Sequence, residues 1–324
     1  MRAVAAPVAI ALAIGVAWAH HEAGAPEKGK HAATHSGGPA SPKTSGGTGR
    51  TPDPILFHVH GLAYSADGRQ LMVPSHHGFA VYREGKWSKA PGPPHDYMGF
   101  SATRTQPYSS GHPAPGSTLV DPFGLIRSGD GGKTWDKLGF EGESDFHLLA
   151  TSWNTNAVYV WNIERNSRMP GPGLYYTLND GFQWQPAAAK GLAGKPRSLA
   201  VHPSDAKTVS VATSNGIYIS RDSGNSFELL TRGAQGLAAF FDLDGRHLWY
   251  GTYSTGPRLE RVALQGGANL TVALPPLKND AIAYIAQNPV TPKEYAMATL
   301  ERSVFMTKDA GQSWTQIANR GQGK

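Results

Sequence analysis

The chain has no cysteine among its 324 residues. This removes disulfides, thiol catalysis and every thiolate metal site from consideration, and it suits an oxidising compartment, where stray thiols are a liability. The sequence also lacks any run of Lys or Arg and any recognisable nucleic-acid module. Its 30 Lys and Arg against 24 Asp and Glu leave a net charge of +6 spread along the chain. We read that charge as a solubility feature and expect neither a nucleic-acid partner nor a nucleotide cofactor. Sustained helical periodicity is absent, and there is only one long apolar run.

That run covers residues 3–16, after the basic start Met1-Arg2 and before Ala17-Trp18-Ala19. A basic start, an apolar stretch and small residues in an A-x-A arrangement together predict a secretory signal peptide over 1–19. The alternative is an uncleaved anchor, but the run is short of the roughly 20 residues a bilayer span needs. With the signal removed no membrane span remains, so the expected location is secreted or periplasmic. Residues 20–54 are rich in Gly, Pro, Ser, Ala and Thr, have little to bury, and predict a disordered leader. Cleavage after Ala19 would make His20 the new N-terminus, whose amine and imidazole can together chelate Cu(II). The plainer reading of His20 and His21 is that they merely follow the cleavage site.

From residue 55 to the end, short β-rich runs alternate with Gly, Asp-Gly, Asn-Gly and Pro turns, the pattern of an all-β sandwich, barrel or propeller. An internal repeat decides among these. Ser128-Gly129-Asp130-Gly131-Gly132-Lys133-Thr134-Trp135 recurs around Asp222 and Gly224, again around Asp309, Gly311 and Trp314, and more weakly around Asn179. The third positions stand 49, 43 and 87 residues apart, the last close to two periods. Strand-and-turn repeats of about 40–50 residues mark propeller blades. Apolar inner-strand candidates at 58–64, 98–103, 146–152, 197–202, 236–241 and 281–286 predict an all-β, six-bladed propeller of four-stranded antiparallel blades, or seven blades if a terminus completes another. Blade one retains a remnant of the repeat at Gly85-Lys86-Trp87, whereas blade five has lost it.

The S-x-D-x-G-x-T-W motif resembles the Asp box, or BNR repeat, of sialidases, sortilin-type receptors and photosystem assembly factors, over roughly residues 55–318. The resemblance implies that each box is a hairpin between the third and fourth strands of a blade. Ser128, Asp130, Asp222 and Asp309 would tie the turn to backbone amides, and Trp135 and Trp314 would pack between blades. These are structural roles. The segments His58-Val59-His60-Gly61, Ser75-His76-His77-Gly78, Asp96-Tyr97-Met98-Gly99, Ser110-Gly111-His112-Pro113 and Asp145-Phe146-His147 further resemble a bacterial secreted group called glycosyl hydrolase by homology. Fold does not imply function.

Seven of the thirteen histidines fall between residues 58 and 147. In a propeller blade, the start of the inner strand and the second-to-third loop share one face, opposite the repeat turn. His58 and His60, two apart on a strand, point the same way. His76, His77 and His112 lie at second-to-third loops, and Asp145 and His147 open blade three. All are therefore expected on one face of blades one to three, beside the central channel. This predicts a transition-metal site, copper or zinc, with His58, His60, His76, His77, His112, His147 and Asp145 as candidate ligands. Met98 would favour copper. Ligation needs neutral imidazole, so binding should weaken below about pH 6. The plainer readings are channel hydrogen bonds for His58 or His60, a tight turn at His76-His77-Gly78, turn roles for His202 and His247, and an exposed connector for His95.

Two other function classes compete. A sialidase-like hydrolase would use Arg197, Arg258 and Arg302, with Asp96 and Met98 also touching substrate. Glu141, Glu143, Asp145 or Glu164 would be acid or base, and Tyr97 or Tyr284 the nucleophile. The Arg-Ile-Pro motif typical of sialidases is missing. The third class is a module that binds a protein or glycan, with the long loops at 106–123 and 162–173 enlarging the face or covering it as a lid.

Overall fold

The structure, a computed structural model, describes residues 55–324; the expected signal peptide and leader lie outside the described residues. It is an all-β propeller of six blades, each a meander in which consecutive strands pair antiparallel. Blade one contains Ala63–Tyr64, Leu71–Ser75, Gly78–Arg83 and Lys86–Lys89. The inner strands of blades two to six are Asp96–Ala102, Leu149–Thr151, Pro196–Val201, Gln235–Phe241 and Ile282–Gln287. Blade five keeps four strands despite losing the repeat, and blade six adds a short fifth, Gln322–Gly323.

The core is divided between the blades. One apolar cluster lies at each of the six blade-to-blade interfaces, because strands buried on both faces present side chains to both neighbours. Blades one and two meet through Met72, Phe79, Tyr97 and Phe100. Blades five and six meet through Trp249, Leu259, Tyr295 and Phe305. The ring closes where Leu71 and Val73 of blade one pack on Ala296, Val304 and Ile317 of blade six. Polar bonds seal that junction: Leu56 N–H donates to the Gly321 carbonyl at 3.1 Å, and Trp87 Nε1 donates to the Ile317 carbonyl at 2.8 Å. The blade-one remnant of the repeat thus serves ring closure.

The repeat turns follow one scheme. Ser128 Oγ donates to Asp130 Oδ1 at 2.8 Å and accepts from Gly132 N at 2.8 Å. Asp130 accepts from Thr134 N at 2.9 Å and Thr134 Oγ at 2.7 Å. Ser220, Asp222 and Ser226 repeat the pattern, as do Thr307, Asp309 and Ser313. Asn179 substitutes for the acid and keeps the bonds from Thr177 Oγ and Gln183 N, both 2.9 Å. Gly132, Gly181, Gly224 and Gly311 all have φ between 82° and 90°, the left-handed conformation that only glycine adopts freely. Trp135 stacks at 5.9 Å on Phe79 of blade one and at 5.3 Å against Tyr97 of its own blade, an inter-blade wedge.

The first inner strand is shorter than the 58–64 expected. Its ladder covers only Ala63–Tyr64, and before it a single bond runs from His60 N to the Pro74 carbonyl at 3.2 Å. Pro74, on the neighbouring strand, has no N–H to continue the ladder. Residues 58–62 are thereby held beside the sheet but outside its regular pairing. Blades two, four, five and six each carry a bulge near the same end of the inner strand, at Met98, Arg197, Leu237 and Ala283. Bulges re-aim side chains at barrel and sheet rims.

Candidate functional site

His58 and His60 stand two residues apart, and their rings stack at 5.6 Å with 8° between planes. The second strand of blade one ends at Ser75, and His76 turns back over them. Its ring lies 4.2 Å from that of His58 and 4.8 Å from that of His60, edge-on to both. One nitrogen from each ring can be chosen so that all three lie within 4.8 Å of one another. Three imidazoles bound to one tetrahedral ion at about 2.0–2.1 Å would hold their nitrogens roughly 3.3 Å apart. Small ring movements separate the two arrangements.

The surroundings prepare these rings. His76 Nδ1 lies 2.5 Å from Asp96 Oδ2 of blade two. Donation from Nδ1–H to the carboxylate fixes the tautomer and leaves the Nε2 lone pair free, the usual arrangement behind a metal-bound imidazole. His60 Nε2 is buried with no hydrogen-bond partner. Burial, then the neighbouring His76 and His58, lower its pKa from 6.5 to about 3, so the ring is neutral. The exposed His58 is also held below its usual value, first by desolvation, then by His76 and the Arg302 guanidinium. His77, the fourth candidate in this segment, is exposed and sets its ring edge-on to Phe57 at 5.1 Å, away from the three.

A second group forms on the same face. His147 Nε2 lies 2.6 Å from Asp145 Oδ2, and His112 Nε2 lies 3.1 Å from the same oxygen. Residues 107–112, expected within a 106–123 loop, instead form the second strand of blade two, and the connection is 113–124. His112 Nδ1 meets Asp121 Oδ1 at 2.6 Å, so that connection supplies a residue to the face. The Asp145 bond, supported by Asp121, raises His112 to about 9 against the opposing effect of burial. His112 is therefore an imidazolium at neutral pH, with both N–H groups donated and no lone pair for an ion. The structure gathers His112, His147 and Asp145 around a shared oxygen, beside the His58–His60–His76 triad but distinct from it. His60 feels the charges of both His147 and Asp145.

The residues considered for a hydrolase are dispersed. Arg197 donates to Gln235 at 3.1 Å and lines the central channel with His60 and His147. Arg302 donates to the Phe57 carbonyl at 3.1 Å. Arg258 is exposed on the third strand of blade five. Met98 is half-buried at its bulge. Tyr97 is fully buried, donates to the Pro93 carbonyl at 3.1 Å, and burial pushes its phenol far up, which removes it as a nucleophile. Tyr284 lines the channel, and burial raises it to about 12. Glu143 accepts from Ser167 N at 3.0 Å and pins the 162–173 loop.

Two histidines differ from their sequence reading. His95, expected to be exposed, is buried against Tyr97 and Phe123, and its Nδ1 accepts from Ala114 N at 2.9 Å. The aromatic residues that cover it come from the strand after it and from the end of the 113–124 connection, which sequence spacing does not bring together. His247 belongs to a polar knot that sequence reasoning missed. Asp242 accepts two bonds from Arg261, at 2.8 and 3.1 Å, and single bonds from Trp249 Nε1 at 2.6 Å and Tyr295 OH at 2.7 Å. Asp242, Asp244 and His247 are close enough to hold an ion, but Arg261 already neutralises the buried carboxylate. That knot is structural.

No family model matches the chain, and no curated protein matches it. Among solved structures, it is similar to the GH74 enzyme of Niastella koreensis, with a TM-score of 0.57 and 15% identity over 82% of this chain and 46% of that one. It is also similar to an ancestral GH74 enzyme, with a TM-score of 0.52 and 12% identity over 82% and 39% of the two chains. The extracellular domain of a putative hybrid two-component system from B. thetaiotaomicron gives a TM-score of 0.52 and 13% identity over 83% and 34%. The chain spans less than half the length of each. At these identities the likeness concerns the fold.

Proposed function

We propose that this protein is an exported propeller of the Asp-box (BNR-repeat) superfamily that binds a transition metal, copper in preference to zinc, on the face of blades one to three. His58, His60 and His76 are the ligands and Asp96 orients His76. The observation that carries this reading is the unpartnered, buried Nε2 of His60 inside a group of three imidazoles. A buried polar atom without a partner normally costs stability, and an ion would satisfy it. An all-nitrogen donor set with no thiolate suits Cu(II) and Zn(II), and copper binds more tightly in the general order of divalent affinities. When bound, such an ion supplies Lewis acidity or, for copper, electron transfer. The lowered pKa values of His58 and His60 keep both rings available below the pH at which free imidazole protonates.

Export is supported by the signal-like N-terminus and by the fold likeness to an extracellular domain. The test is a Cu(II) titration of the full chain followed by EPR, beside His76→Ala. We expect one equivalent bound with nitrogen hyperfine splitting in the wild type, and loss of that signal in the variant. Equal spectra for the two would refute the assignment.

A second reading, glycoside hydrolysis, draws on the likeness to GH74 enzymes and on Asp145, a carboxylate held by two imidazoles. It predicts turnover of an aryl glycoside that disappears in Asp145→Asn. A protein- or glycan-binding module would show neither property.

A further inference from the structure

The central channel continues beneath the imidazoles as a cavity of about 140 Å³. Its walls come largely from the inner strands and are mixed: Phe100, Leu149, Leu199, Phe240 and Ile285 supply apolar surface, and Ser101, Thr151, Ser198 and Gln287 supply polar surface. Its upper end is polar, with His60, His147 and Arg197. No Asp or Glu lines it, so among the described residues Arg197 is the one permanently charged group on its surface. Asp96 and Asp145 stand on the same face, but each is bound to imidazole and neither lines the cavity. Arg197 gives one N–H to Gln235, while its Nε is buried with no partner.

A guanidinium beside a partly apolar chamber, without a carboxylate of its own, is an uncompensated charge. Proteins pair such charges or leave them for a ligand. We infer that the channel binds a small monocarboxylate with a ring-sized apolar body, its carboxylate on Arg197 and its body among Phe100, Leu199, Phe240 and Ile285. The size follows from the cavity: an apolar chamber of about 150 Å³ accepts benzene. The sign of the ligand's charge follows from Arg197. His147 is engaged with Asp145 at 2.6 Å and offers the ligand no competing carboxylate.

This inference does not depend on the metal reading, and the experiment separates the two. The full chain is dialysed against chelator and titrated calorimetrically with benzoate and with benzylamine, a probe of matching shape and opposite charge. The titrations are repeated with Arg197→Gln, whose fold is checked by circular dichroism, and with copper-loaded wild type. We expect benzoate to bind the metal-free protein one to one, benzylamine not to bind, and Arg197→Gln to weaken benzoate at least tenfold. Absence of benzoate binding, equal binding of benzylamine, or an unchanged benzoate affinity in a folded Arg197→Gln protein would each overturn the inference. Binding confined to the copper-loaded form would also overturn it, because the carboxylate would then be a metal ligand and not a channel ligand. The wild-type comparison of the two probes stands even if the variant fails to fold.

Discussion

The lowered pKa of His60 makes acid stability a sensitive probe of the imidazole triad. In the unfolded chain His60 takes up a proton near pH 6.5, whereas in the folded protein it resists until about pH 3. Below pH 6.5 the unfolded state therefore binds more protons, and stability falls as the pH drops, until the folded ring also protonates. By pH 4.5 the interval crossed is two pH units, which at about 1.4 kcal/mol per unit costs about 2.5 kcal/mol relative to pH 7. The assay is urea unfolding of metal-free wild type and His60→Gln at pH 7 and pH 4.5. Other acid-sensitive groups, His58 and His95 among them, act in both proteins and cancel in the double difference. The wild type should lose about 2.5 kcal/mol more than the variant between the two pH values. Equal losses would show that His60 is not held neutral by its surroundings, and the reasoning from its buried nitrogen would fail.

Three further outcomes follow from the geometry. Asp145→Asn removes the main cause of the raised His112 pKa, so NMR titration should find His112 moved from about 9 toward 6.5; titration still near 9 would place the cause elsewhere. Gly99→Ala would put a methyl group 1.9 Å from the Phe146 carbonyl oxygen, where blades two and three approach, and should cost about 3 kcal/mol or more in urea unfolding. A cost below 1 kcal/mol would mean that the blades separate easily there. Asp222→Ala removes the acceptor for Ser220 and Ser226 in an exposed turn and should cost about 1 kcal/mol, with Asp222→Asn recovering part of it because Asn179 fills the same role in its own blade.

The blade architecture was legible in the sequence because its signal is local and repeated. Ser128, Asp130 and Gly132 satisfy their turn within five residues, so the motif reports the hairpin wherever it recurs. The interval between copies then locates the inner strands, including that of blade five, which has no copy. Alternation along a strand likewise placed His58 and His60 together, and blade topology brought His76 onto their face. The partition of the face into two groups was not legible. Asp96 belongs to His76 and Asp145 to His112 and His147, and these pairings depend on ångström-scale distances between blades. The burial of His95 and the Asp242 knot were hidden for the same reason. A clue for the knot did exist, since Asp242 follows an apolar inner strand and must carry its charge into the interior, but its donors Trp249, Arg261 and Tyr295 lie up to 53 residues away.

The most direct measurement of the central claim is elemental analysis of the exported protein, purified without a His-tag, beside His58→Ala/His60→Ala with residues 20–54 intact. The account predicts near-stoichiometric copper or zinc in the wild type and its loss in the variant. Metal-free wild type that also takes up neither added copper nor added zinc would contradict it, as would metal retained at the same level in the variant.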